Sequence, residues 1–414
     1  MKFIENIDKD KYINFTDNHQ KSHFLQSYAW GQFCKRIKGQ IPYYVGLENN
    51  DNNLVATALI LLKKTPFGYS YGYCPRGFIL DYSDLNLIKE FSSYLKQFMK
   101  DKKIIYIKFD PDISYQDIDE EGKPIEGGNN NYELYNYMLS LGYKHTGFYK
   151  LYEGNQPRYT FRIDLNKDWE EIEAKMSKSF LKSVKRSELY DFEIDNEPNV
   201  ENFYHLIQCN SSKDDFDAHN LNYYKIFTEE LEKEKLVKYF NISIKPKNLI
   251  NKFTKDIDNL KLELEKNKKR KIDIINQINK LEKDIEIFNT LKEEKVIICS
   301  LICTYTKNRA WSMFIGSNEV ANLTFAVTRS YYEAIKDAYN KKYDFFDLFG
   351  TPGDPHTTYK NLAKLHDFKR KFGDKYIEFI GEFDLVNNKL LYKMLPCLLN
   401  VYRRIRKVFK KSGQ

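Results

Sequence analysis

The stretch "VIICSLICTYTKNRAWSMFIGSN", residues 296–318, decides the fold. An apolar run reaching Tyr305, the polar pair Lys307-Asn308 and a second apolar run from Ala310 read as two strands about a turn. Downstream, "NLTFAVTRSYYEAIKDAYNKK" reads as a helix, and "YDFFDLFGTPGD" as a strand ending at a Gly/Pro loop. The same order occurs near the start. There "YYVGLEN" and "NLVATALILLKK" are strands about an Asn-rich turn, and "GYSYGYCPRGFIL" continues extended. Then "SDLNLIKEFSSYLKQFMKDK" is an amphipathic helix capped by Ser83 or Asp84, and "KIIYIKFDPDI" a buried strand ending at Asp110-Pro111. In both copies a helix with a basic end feeds directly into an aromatic-rich strand, so two similar α/β units are expected.

Around this repeat, "SHFLQSYAWGQFCKRIKG" has the spacing of a short helix. Two further segments, "DWEEIEAKMSKSFLKSVKRSELY" and the run from "NVENFYHLIQCNSSKDD" to "YYKIFTEELEKE", read as helices opening the second unit. Residues 248–294 differ from everything else. Ile250, Phe253, Ile257, Leu260 and Leu264, then Ile274, Ile278, Leu281, Ile285 and Phe288, keep a three-four spacing with charges between, the pattern of a coiled-coil seam. The segment lies between "LVKYFNISI" and "KVIICSLICTY", two strand-like runs expected to be neighbours in one sheet. The chain must therefore leave and return at nearly one place, as a helical hairpin does. Its tip is expected near "KNKKRK", residues 266–271, either as a solvated cap or as a contact to nucleic acid. One unbroken helix also fits the seam. At the end, Leu398, Tyr402, Ile405 and Phe409 form one stripe among Arg403, Arg404, Arg406, Lys407, Lys410 and Lys411. That segment suits an anionic membrane surface or a helix docked on the body with its basic face in solvent.

At 414 residues, 42% of them hydrophobic, the chain is long enough for two or three cores. No apolar run approaches the roughly 18–20 residues of a membrane span, and the start lacks the apolar segment of a signal peptide, so a cytoplasmic protein is expected. The six cysteines are scattered in sequence and read as reduced core thiols. No CxxC or HxxxH grouping accompanies them, and no metal site is expected. The net charge of +8, from 66 Lys and Arg against 58 Asp and Glu, permits contact with polyanions without requiring it.

The chain has no GxxxxGK[ST], no GxGxxG after a strand and no GxSxG. The α/β units invite comparison with the acyl-CoA acetyltransferase fold, whose pyrophosphate-binding turn carries glycines. At the corresponding place "NLTFAVTRSYYEAIK" has none, so coenzyme A is not the expected donor and no cofactor is expected.

Seven motifs then occur in order: "FLQSYAWGQFCK", "YCPRGFILDY", "KFDPDISY", "MFIGSN", "FDLFGTPGD", "FKRKFG" and "IGEFD". Together they resemble the FemABX family, over nearly the whole chain. The resemblance implies an α/β (α+β) fold of two acetyltransferase-like (GNAT-like) domains with an inserted antiparallel coiled-coil helical hairpin. The first domain is placed at 1–155, the second at 156–247 and 295–414, and the arm at 248–294. It also implies an aminoacyltransferase that moves an amino acid from aminoacyl-tRNA to the stem peptide of a peptidoglycan precursor. The arm matches the subset acting on lipid-linked precursor. Implied partners are aminoacyl-tRNA, that precursor, the inner membrane surface and related Fem-type enzymes.

By the same resemblance Lys369 matches the lysine that stabilises the tetrahedral oxyanion, and Phe368 shapes its pocket. Taken alone, FKxxF is a common amphipathic fragment. Lys35 and Arg76 match basic positions of the precursor cleft, while each alone reads as a solvated cation. Tyr224 matches a precursor-contacting tyrosine, with a helix core as its plain alternative. Asp110 and Glu382 stand at strand ends, where they meet substrate or cap backbone; both are general-base candidates by position, and neither is named as the base. Two departures stand out. "DAHNLNYY" has His219 and Asn220 where the family carries an arginine, and Phe314 replaces a tyrosine found in some members. Two other readings stay open: an acyltransferase with a different donor, and an interaction protein that docks through its arm.

Overall fold

The computed structural model describes residues 1–214, 217–266, 270–373 and 375–399. Its strands form two eight-stranded sheets. In the first, Ile41–Glu48, Leu54–Lys64 and Ser70–Cys74 run antiparallel, and helix Leu85–Asp101 crosses over to bring Ile104–Phe109 parallel to Ser70–Cys74. In the second, Val237–Ile244, Val296–Tyr305 and Arg309–Ser317 run antiparallel, and helix Ala326–Asn340 crosses to Phe345–Thr351, parallel to Arg309–Ser317. The repeat read from the sequence is thus three strands, a helix and a parallel fourth. The crossover helix of the first unit starts at Asp84, whose carboxylate accepts the Leu87 N–H at 2.9 Å, and it buries Leu87, Ile88, Phe91, Leu95 and Phe98.

The sheets do not divide at residue 155. Ser114–Asp117 pairs with Lys375–Phe379 in the second sheet, while Phe383–Val386 pairs with Ile104–Phe109 in the first. Each half therefore lends a short strand to the other, and no edge-length pattern of four or five residues announces this in the sequence. Strand Tyr159–Asp164, also not expected, lies between Phe345–Thr351 and Lys375–Phe379. The helix expected from Asp168 onward is two. Met176 is extended, and the Ser177 side chain starts helix Lys178–Ser187 by accepting the Phe180 N–H.

Val237–Ile244 and Val296–Tyr305 pair directly, so the residues between them leave and return at one place, as two helices, Pro246–Lys266 and Lys271–Asn289. Phe253, Ile257, Ile274, Ile278, Leu281 and Phe288 are buried between them and the body. At the base, Phe253 and Phe288 flank Tyr190, whose hydroxyl donates to Asp284 Oδ2 at 2.9 Å. Half of the expected basic tip, at 267–269, and the basic stripe from Tyr402 onward lie outside the described residues. Of the six cysteines, Cys34, Cys74, Cys299 and Cys303 are buried, whereas Cys209 and Cys397 are exposed rather than in a core. Among the described residues no helix is long and apolar enough to cross a membrane.

Candidate active site

Strand Phe345–Thr351 carries the local irregularity that builds the site. Asp347 pairs with Arg162 and Gly350 with Thr160, so Leu348 and Phe349 together face one residue of the neighbouring strand. Phe349 has φ of 59°, a left-handed backbone that a β-bulge accommodates. The bulge turns two successive carbonyls towards the helix Lys360–Lys369. Lys369, at the end of that helix, donates from Nζ to the Phe349 oxygen at 3.1 Å and to the Gly350 oxygen at 2.6 Å. Its side chain is buried, and burial brings its pKa down to about 7, with the nearby Asp347 carboxylate opposing that fall.

Gly350 has no room for a side chain, because a Cβ would sit 2.1 Å from Pro157 Cγ. Pro157 in turn accepts from Arg76 Nη2 at 2.6 Å, and this contact links the lysine to a second buried cluster. There Asp110 accepts the Arg76 N–H at 2.7 Å and the Tyr73 hydroxyl at 2.8 Å, while the Arg76 guanidinium lies 4.1 Å from the Phe379 ring centre. Burial raises Asp110 to about 6, against the pull of Arg76. Glu382 accepts the Asn155 N–H and pairs with Lys108 at 3.0 Å.

Phe368, half-buried beside Lys369, lines an apolar cleft of about 780 Å³ with Ile207, Met313, Phe314, Lys360 and Lys364 among its walls. Phe314 forms one side, and fully buried Tyr224 packs behind it at 5.4 Å. Burial raises the Tyr224 phenol to about 12.

The structure therefore brings Phe368 and Phe314 together, with Lys369 adjoining and Tyr224 as support. It groups Arg76 with Asp110 one layer away, engaged with protein atoms. Lys35 stands apart: it is exposed on helix Tyr28–Lys38 and lines a separate depression with Lys9, Tyr28 and Tyr44. Three residues that shape the site were not found from sequence: Asp347, Thr160 and Arg162. The available signal was an acid in the middle of an aromatic strand, "FFDLF", where a buried charge needs a partner.

Two like halves of this topology define the class, a tandem α/β fold built on two mixed sheets. The same fold is found in the crystal structure of FemX, at a TM-score of 0.76 and 21% identity over 95% of this chain and 99% of that one. The chain belongs to the FemAB family, whose model matches residues 7–399, and is a transferase. It is similar to the lipid II:glycine glycyltransferase of Staphylococcus epidermidis, at 23% identity over 94% of each chain. It is also similar to the aminoacyltransferase FemA of Staphylococcus aureus, at 26% identity over 98% of this chain and 100% of that one.

Proposed function

We propose that this protein moves an amino acid from aminoacyl-tRNA to the stem-peptide amine of a lipid-linked peptidoglycan precursor, building an interpeptide bridge. Lys369 stabilises the oxyanion of the tetrahedral intermediate. The observation that carries this reading is a desolvated lysine, pinned by the Phe349 and Gly350 carbonyls, whose chain neighbour Phe368 lines an apolar cleft.

That geometry supports the following chemistry. The amine nitrogen attacks the ester carbonyl, a C–N bond forms, and the carbonyl electron pair moves onto oxygen. Collapse expels the ribose oxygen of the tRNA terminus, which takes up the proton released by the amine. Negative charge therefore develops on one oxygen, and a fixed ammonium interacts with it by about 4 kcal/mol at 4 Å in a protein-like dielectric, against about 1 kcal/mol in water. Two of the three ammonium donors are taken by carbonyls, so one remains for the oxyanion.

The surroundings support a polyanionic donor. Lys360 and Lys364 stand at the cleft. Helix Lys178–Ser187 packs on the turn after Lys369 through Phe180 and Phe372, 4.5 Å apart, and turns Lys178, Lys182 and Lys185 to solvent. Neither Asp110 nor Glu382 is assigned as general base, since the oxygens of both are engaged with protein donors. In this reading the enzyme works at the inner membrane face, where residues 403–411 supply basic charge. The test is to incubate the purified protein with charged tRNAs and lipid-linked precursor and to follow the stem peptide by mass. A gain of one aminoacyl residue is expected. No gain with any amino acid, despite intact binding, overturns the proposal.

A further inference from the structure

We propose that Asp347 is the positioning residue for Lys369: it holds the Phe349–Gly350 bulge in shape and sets a negative charge near the ammonium. This rests on the reading of Lys369 given above.

The bulge leaves the Phe349 N–H without a ladder partner, and Asp347 Oδ1 accepts it at 2.7 Å. Thr160 Oγ1 lies 2.5 Å from the same carboxylate oxygen and 2.9 Å from the Phe349 carbonyl oxygen, so its one proton can serve either. On the other side, Arg162 Nε donates to Asp347 Oδ2 at 2.7 Å and Arg162 Nη2 donates to both Asp112 oxygens at 2.7 and 2.8 Å. Asp112, Asp347 and Arg162 are thus one buried unit. A bulge without such a clamp can shift its carbonyls by a fraction of an ångström, and catalytic placement is sensitive on that scale.

The electrostatics agree with this geometry. The lysine is desolvated, and the Asp347 carboxylate is the charge that favours its ammonium. Arg162 lies beyond that carboxylate. On the lysine's own helix His366 is buried between Phe161 and Tyr376, with burial lowering its pKa, and Arg370, just past the helix end, faces out towards Asp367 and Glu121. From the opposite side Tyr331, Phe368 and Phe372 are packed against one another.

The test is the titration of Lys369 followed by NMR of ε-carbon-labelled lysine, assigned with Lys369→Met, together with kcat against pH for charged tRNA and lipid-linked precursor. In Asp347→Asn, which keeps a hydrogen-bonding oxygen and loses the charge, the Lys369 resonance should titrate lower by roughly one pH unit. The alkaline limb of kcat should move down with it. Thr160→Val, a milder change, should lower kcat several-fold with KM for both substrates unchanged. An unmoved titration in Asp347→Asn, or, if that variant does not fold, an unchanged kcat in Thr160→Val, overturns the inference. If Lys369→Met itself transfers at the wild-type rate, the reading of Lys369 fails instead.

Discussion

At the residue scale, burial leaves Lys369 with a pKa of about 7, so near neutral pH charged and neutral forms coexist. Oxyanion stabilisation requires the charged one. The sign follows: below about 7 the ammonium is present, and as pH rises through that value it is lost. The substrate amine titrates as well, and dividing the wild-type rate by that of Lys369→Met cancels it. That ratio should be constant on the acid side and fall roughly tenfold per pH unit on the alkaline side. A ratio flat up to pH about 9 would assign Lys369 a structural role. "FKRKFG" marked this lysine only through its family resemblance. Its burial depends on carbonyls 19 and 20 residues earlier, and spacing within the motif carries no trace of them.

At the scale of elements, the bulge in Phe345–Thr351 and the inserted helices make separate predictions. Gly350→Ala places a methyl group 2.1 Å from Pro157 Cγ, so the bulge or the 152–158 segment must shift. Thermal or denaturant unfolding should register a loss of about 1–3 kcal/mol, with a lowered transfer rate. Unchanged stability and rate would mean that the segment yields freely. For the arm, Phe253 is fully buried at the base, whereas Leu262 and Ile272 are 56% and 76% exposed further out. Phe253→Ala should therefore cost about 3–5 kcal/mol by denaturant unfolding, while trimming both helices beyond Leu260 and Ile274 should leave the body folded. If the trimmed protein unfolds, the outer arm is part of the core. The hairpin and both crossover helices were legible because long apolar periodicities survive without tertiary context. Strands of three to six residues, such as Ser114–Asp117 and Tyr159–Asp164, were not, because their pairing is decided by distant partners.

Over the whole molecule, the two halves share strands. Phe383–Val386 returns to the first sheet after the chain has passed Lys369, and Ser114–Asp117 reaches into the second. The Arg162 bridge from Asp112 to Asp347 lies across this exchange, so the lysine is fixed relative to both halves. The sequence motifs located both clusters but could not show which side chains face a cleft. Arg76 and Asp110 turned inward, whereas Phe314 and Phe368 met across a gap of more than fifty positions in the chain. The basic helix gives a prediction at this scale. Replacing Lys178, Lys182 and Lys185 by Gln should raise KM for charged tRNA about tenfold at moderate salt and flatten its salt dependence, leaving kcat in place. An unaltered KM would move the donor's phosphates elsewhere on the surface.

In the proposed reaction the Lys369 ammonium lowers the barrier to aminoacyl transfer. The most direct test is the single-turnover rate of transfer from a charged tRNA to lipid-linked precursor, measured at pH about 6.5 for the wild type and for Lys369→Met with both substrates saturating. Lys369→Met should be slower by about a hundredfold or more, with the affinities for tRNA and precursor nearly intact. Equal rates in the two proteins would contradict it.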